Sequence, residues 1–324
     1  RPIPIRSTGI SPSRSSNPHM DWVTVSVRFA LYFDLTTLFG LPLFGLYALR
    51  REEMSSRIGS RHVTVTAVIA ALGILLSLAN MAVMAKGMTG ASEYSELQSH
   101  IFEMIVMGTD FGTAWTVRLV ALLLCLLLAL FAGRSPPFQF GALAATAGVA
   151  LSTLAWAGHG AMDDGGGRYL HLVSDITHLM AAGAWVGALV ALVMLSRPSS
   201  PATAALLSRT SNGFAQVGTI VVATLTVTGA MNYWMIVGPT LPDDLSLTLY
   251  GGLLIVKLTL FGTMLALAAA NRFRLAPQLE QAGKTGDHDG AVRMLRRSLM
   301  FETTAVTLIL ALVASLGVLS PTGM

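Results

Sequence analysis

The sequence predicts an all-α membrane protein, a bundle of eight transmembrane helices built as a parallel repeat of four. Three observations carry this. Of 324 residues, 53% are hydrophobic and only 12% are charged, where a soluble domain carries about a quarter charged residues. The apolar residues gather in runs that reach the roughly 20 residues needed to cross a bilayer. The alternating pattern of a membrane β-barrel is absent. Backbone polar groups cannot stay unpaired in hydrocarbon, so each run is read as a helix.

The chain begins with RPIPIRSTGISPSRSSNPHMDW, residues 1–22, rich in Pro, Ser and Arg and without an apolar core. It reads as a tail, disordered or of non-native origin, and not as a signal peptide. Spans follow at 23–49, 63–85, 113–132 and 138–157, and then at 169–195, 213–237, 247–270 and 298–319. The first carries Arg28 and Asp34 and the third carries Arg118. The fifth carries Asp175, the seventh Lys257 and the eighth Glu302. The single cysteine, Cys125, lies inside the third span and reads as a small core residue. It excludes an intrachain disulfide and a thiolate cluster. The expected division is a tail at 1–22, helices one to four at 23–157 and helices five to eight at 158–324.

Lysine and arginine set the orientation. One set of loops holds Arg50, Arg51, Arg57, Arg61, Arg134, Arg197, Arg209, Arg272, Arg274, Lys284, Arg293, Arg296 and Arg297, with His62 and His288 beside them. The opposite loops hold Lys86 and Arg168 alone. The first set is therefore expected in the cytoplasm, and both termini outside, in the periplasm of a Gram-negative cell. Arg1, Arg6 and Arg14 of the tail oppose this and are outvoted by the loops. The net charge of +4 thus reflects topology and not nucleic-acid binding. The outer loops are acidic, with Glu93, Glu96, Glu103, Asp110, Asp163, Asp164, Asp243 and Asp244. Such a surface either attracts cations or is simply a solvated loop face.

An internal repeat supports the halves. Leu31, Asp34, Thr36, Leu38 and Phe44 align without gaps with Leu172, Asp175, Thr177, Leu179 and Trp185. Gly112, Arg118 and Arg134 match Gly251, Lys257 and Arg272. Four spans per half give both halves one orientation, hence an axis along the membrane normal. The repeat suggests matched ion pairs, Asp34 with Arg118 and Asp175 with Lys257. His171 and His178 align with Ala30 and Thr37, so the histidines belong to the second half alone.

At 100° per residue, His171, Asp175, His178, Ala182 and Trp185 share one stripe of the fifth span. His178 lies about 10 Å deeper than His171 at a rise of 1.5 Å per residue, so the two cannot ligate one ion together. They read as successive stations for an ion, or as groups that hydrogen-bond helices together. Asp175 is either a ligand, an orienting acceptor for an imidazole or an ion-pair partner. His159, between Gly158 and Gly160 at the outer end of the fourth span, could meet His171. Ionisable groups at such depth are costly and point to function. Methionine is the second clue. Met81, Met84 and Met88 share a face at the outer end of the second span. Met104 and Met107 lie near His100, and Met231 and Met235 end the sixth span. Thioethers and imidazoles suit copper, though methionine is also a common core filler. Gly183 and Gly187 form G-x-x-x-G, which permits close helix packing. Asp287, His288 and Asp289 could meet an ion leaving inward, or form a solvated turn.

These residues resemble the copper resistance D family, CopD. The resemblance is carried by GHGAMDDGGGRYLHLVSDITHLMAAGAWVGAL, by YGGLLIVKLTLFGTMLALAAANRFRLAP and by RRSLMFETTAVTLILALVASLGVLSP, within residues 155–321. The positions matching the family's run are His159, His171, Asp175, His178, Trp185, Lys257, Asn271, Arg272, Glu302 and Pro321. The resemblance implies an eight-span inner-membrane protein of copper homeostasis that moves copper from periplasm to cytoplasm. It also implies a separate periplasmic copper carrier of the CopC type as partner.

The expected function is copper binding and transport, with the copper ion as ligand in an unassigned oxidation state. The expected metal residues are His159, His171, Asp175, His178, Met81, Met84, Met88 and His100. Asp34, Arg118, Lys257 and Glu302 are expected in structural ion pairs. No phosphate-binding loop is present, and no enzymatic activity is expected. A haem-binding membrane redox protein is the alternative, together with a copper sensor or assembly factor that does not transport.

Overall fold

The computed structural model describes residues 21–131, 135–157, 166–196, 201–238, 248–278, 281 and 288–319. Its elements are α1 (Trp22–Ala48), α2 (Arg51–Met54), α3 (Arg57–Thr89), α4 (Ser99–Gly108), α5 (Asp110–Phe131) and α6 (Pro136–Ser152). They continue with α7 (Gly166–Leu195), α8 (Pro201–Val237), α9 (Leu249–Ala270) and α10 (His288–Leu316). Among the described residues there is no strand. Seven of these helices, all but α2, α4 and α6, are long and apolar enough to cross a membrane. The fourth expected span, 138–157, falls on α6, whose 17 residues cover about 26 Å, and which is not among the seven. It gives way to a 3-10 turn at Ala155–Ala157.

Local sequence sets the helix ends. Asp21 caps α1, accepting from the Val23 amide at 3.1 Å and the Thr24 hydroxyl at 2.6 Å, which satisfies donors that a helix start leaves free. Ser56 caps α3, and Gly90, at φ 67°, closes it in the left-handed conformation that glycine adopts without penalty. Thr248 caps α9 through the Gly251 amide at 3.0 Å.

Several helices outrun their apolar runs. α8 and α10 begin about ten residues before the expected spans, in polar sequence carrying Arg209 and Arg293. Hydropathy marks the hydrocarbon slab, whereas the helix continues into the interface. The same effect corrects the placement of His62. It lies on α3 and not in a loop, is 1% exposed, and its Nδ1 is 2.9 Å from the Ile58 carbonyl. The unexpected α4 buries Ile105 and exposes Met104 and Met107.

α1 is the hub, packed on α3, α6, α7 and α10. Its approach to α7 needs glycine. A Cβ on Gly40 would run into the Gly183 carbonyl, and one on Gly187 would run into the backbone of Gly40. The Gly183/Gly187 motif is thus spent on bringing two backbones together. The main core joins Phe44, Phe140, Trp185, Leu189 and Leu295 from both halves of the chain. A second core holds Leu35, Leu122, Leu143 and Leu151, with Cys125 fully buried among them. α3 packs along α5, whereas α8 and α9 barely touch, which leaves a seam beside α7.

The two ends are clamped differently. At one, Arg209 donates to the Ala48 carbonyl at 3.0 Å and to both oxygens of Glu53 at 2.7 and 2.5 Å. At the other, Arg168 pairs with Asp110 at 3.1 Å. The predicted inner and outer loop charges therefore fall at opposite ends.

Candidate functional site

The stripe on α7 faces α8, and the two helices share a polar network in otherwise apolar surroundings. Nε2 of the buried His171 is 3.8 Å from Oδ2 of Asp175. Oδ1 of Asp175 accepts from the Asn232 amide at 2.6 Å, and the Asn232 carbonyl accepts from the Ser174 hydroxyl at 2.5 Å. One turn deeper, Nδ1 of His178 is 2.8 Å from the Thr228 hydroxyl. That hydroxyl donates to the Thr224 carbonyl at 2.6 Å. Its only proton is thereby spent, so towards His178 it accepts. Nδ1 therefore carries the proton in the neutral ring and Nε2 keeps its lone pair, a tautomer assigned from the network.

His178 and Asp175 line a cavity of about 210 Å³, together with Arg28, Asn232, Tyr250 and Lys257. Gly229 faces the imidazole, and a Cβ there would lie 3.5 Å from Cε1. Lys257, the expected ion-pair partner of Asp175, lines the same cavity, and Arg28 of α1 adds a second positive charge.

Of the sequence-predicted metal residues, the structure brings together His171, Asp175 and His178 on α7. His159 lies outside the described residues. Met81 is 3% exposed and packs with Ala85 and Ile105 in an apolar cluster. Met84 lines a different cavity. Met88 is exposed, as is His100. Among the described residues no three His, Cys, Asp or Glu side chains converge on one point. The site is a chain of single donors and not a closed cage.

Two expected ion pairs are corrected. Arg118 does not pair with Asp34. Its Nε donates to the Thr153 hydroxyl at 2.8 Å and a second nitrogen reaches the Thr153 carbonyl at 3.5 Å. Thr153 stands where α6 ends, so its backbone is free to accept. The Asp34 carboxylate is buried against Gly73 with no hydrogen-bond partner among the described residues. Glu302 accepts from the Asn271 amide, and among the described residues no lysine or arginine is within ion-pair distance of it. Asn271 opens the π-helical turn Asn271–Leu275, a local widening that re-aims side chains. Glu302, Asn271, Arg272 and Trp185 line a cavity of about 290 Å³ at the predicted inner side of the same seam.

Sequence reasoning missed Thr228, Asn232, Ser174 and Asn271 as partners. Thr224, Thr228 and Asn232 recur every fourth residue, so they share one face of α8. That periodicity was the available signal.

Comparison with known proteins now decides the family. The sequence model "Copper resistance protein D-like, N-terminal domain" matches residues 19–170, and "Copper resistance protein D" matches residues 208–316. The Copper resistance protein D of Pseudomonas syringae pv. tomato is 44% identical over 304 residues, covering 93% of this chain and 97% of the relative. The chain belongs to the copper resistance protein D family. Two more distant relatives agree in part. The inner membrane protein YebZ of Escherichia coli (strain K12) is 26% identical and covers 92% of this chain and 98% of its own. The copper transport protein CutJ of Bacillus subtilis (strain 168) is 28% identical, covering 81% of this chain but 48% of its own. No solved structure matches the chain. The α7 stripe, His171 to Trp185, lies between the two family matches, in residues 171–207.

Proposed function

We propose that this chain moves copper across the inner membrane from periplasm to cytoplasm and is not an enzyme. The observation that carries the reading is the His178 imidazole, held by Thr228 so that a ligating lone pair is kept beside Asp175 in a cavity within the bundle. His171 and Asp175 stand nearer the predicted outer end, as entry stations. Met84, Met88, His100 and His159 serve as looser capture groups around the mouth. Copper is here cargo, handed between single donors, and the scarcity of converging ligands suits release better than storage. The names of the P. syringae and B. subtilis relatives support copper, and that of YebZ supports the inner membrane.

In this reading α6 completes an eight-helix count, both termini are periplasmic, and a CopC-type carrier delivers the metal. The parallel repeat is supported by corresponding packing, α1 on α3 as α7 on α8, and α5 on α6 as α9 on α10. The seam between α8 and α9 is where the halves differ, and both the His178 cavity and the cavity lined by Trp185 and Glu302 draw residues from these two helices. A haem between facing histidines finds less support, since no histidine of another described helix lines the His178 cavity. Copper accumulation in cells, measured by elemental analysis, tests the proposal. His178→Ala should reduce it to the level of cells lacking the protein, and unchanged accumulation at equal expression would reject the role.

A further inference from the structure

A third cavity, of about 190 Å³, adjoins the His178 cavity in the predicted outer half. It is lined by Thr24, Arg28, Tyr32, Asn80, Met84 and Arg118, and Arg28, Tyr32 and Leu154 border both cavities. Its two arginines are the unusual feature. Arg118 is 1% exposed; Thr153 takes two of its nitrogens, and Nη1 has no partner. Nε of Arg28 is likewise buried and unsatisfied. Among the described residues no carboxylate lies within ion-pair distance of either guanidinium. Asp34, the expected counter-charge for Arg118, sits against Gly73 and Leu122.

A guanidinium cannot shed its charge at any pH a protein meets. Two of them on one cavity, with no carboxylate of the described residues within ion-pair distance, are strongly disfavoured in a membrane interior. Of the remaining polar groups of the lining, the Asn80 amide and the Tyr32 hydroxyl can donate, whereas the proton of the Thr24 hydroxyl is taken by Asp21 at 2.6 Å. We propose that this cavity is an anion-binding site, with Arg118 and Arg28 as its charged donors, taking a small inorganic anion or the phosphate of a lipid headgroup. Charge-assisted donors in this arrangement suit either. The bound anion would also offset the charge that Arg28 presents to the His178 cavity, where Lys257 already opposes the entry of a cation. The site does not depend on the copper reading.

The test uses the full chain purified in detergent and freed of lipid. Chloride is titrated against gluconate at constant ionic strength, and phosphatidylglycerol is titrated separately at fixed gluconate. A ligand of the folded state alone raises the melting temperature by mass action. The wild type should show a saturable rise in Tm, and Arg118→Gln should lose it. A rise with chloride identifies an inorganic anion, and a rise with phosphatidylglycerol alone identifies a headgroup. If Arg118→Gln yields no folded protein, Arg28→Gln is read in the same way. No response in the wild type, or an equal response in wild type and variant, would overturn the proposal.

Discussion

The Thr228 hydroxyl accepts from Nδ1 of His178 at 2.8 Å while donating to the Thr224 carbonyl at 2.6 Å. A side chain with one proton can stand between these two groups only in that polarity, so Thr228 fixes which nitrogen of His178 is free. The chemistry of the deepest histidine is thereby set from the neighbouring helix.

Removing that acceptor should weaken metal handling without removing the ligand. Partners that orient a ligating histidine contribute about 10- to 100-fold in metal affinity. Thr228→Val is expected to lower copper accumulation markedly and Thr228→Ser to restore most of it, as read by cellular copper content at matched expression.

Asn232 ties Asp175 of α7 to α8. Asn232→Leu leaves the carboxylate short of a donor and should cost roughly 1–3 kcal/mol, the penalty for a buried polar group left unsatisfied. A lower melting temperature together with reduced copper accumulation is expected. Asp175→Asn should reduce accumulation with a smaller effect on melting, because an amide keeps the shape of the site.

The α1–α7 contact tolerates no side chain. Gly40→Ala places a methyl group against the Gly183 carbonyl, and overpacking of this kind costs about 1–3 kcal/mol. Melting in detergent should shift down, whereas Gly87→Ala, where a Cβ meets nothing within 4 Å, should not destabilise.

The methionines divide by environment. Met81→Leu conserves volume in a packed site and should cost under about 1.5 kcal/mol while leaving copper accumulation unchanged. Met84→Leu and Met88→Leu together should lower accumulation at limiting copper, because these two thioethers are the ones left facing a cavity and solvent. Equal copper accumulation in the single and the double variant would exclude the methionines from copper capture.

Much of this was legible in the sequence. The apolar runs located the membrane helices, and the loop charges separated the two ends that Arg209 and Arg168 now mark. The period of α7 brought His171, Asp175 and His178 to one face. What stayed hidden depended on contacts between helices. Nothing along the chain shows that Thr153, at a helix end, offers Arg118 a hydroxyl and a carbonyl where Asp34 had been expected. Nothing shows that Met81 faces Ile105 of α4, because a short amphipathic helix in a loop carries little hydropathy signal. The polar starts of α8 and α10 were hidden because hydropathy reports the hydrocarbon slab and not the length of a helix. The glycines were visible as a motif, but only the partner helix shows that Gly40 completes it.

In the proposed function copper passes through the bundle by way of His178. Flux into liposomes containing the purified protein, followed with a copper-sensitive chelator trapped inside, measures it directly. The account predicts wild-type flux well above protein-free vesicles and at least a tenfold loss in His178→Ala, with His171→Ala reduced at low external copper. Flux in His178→Ala equal to wild type, or wild-type flux no greater than that of empty vesicles, would contradict it.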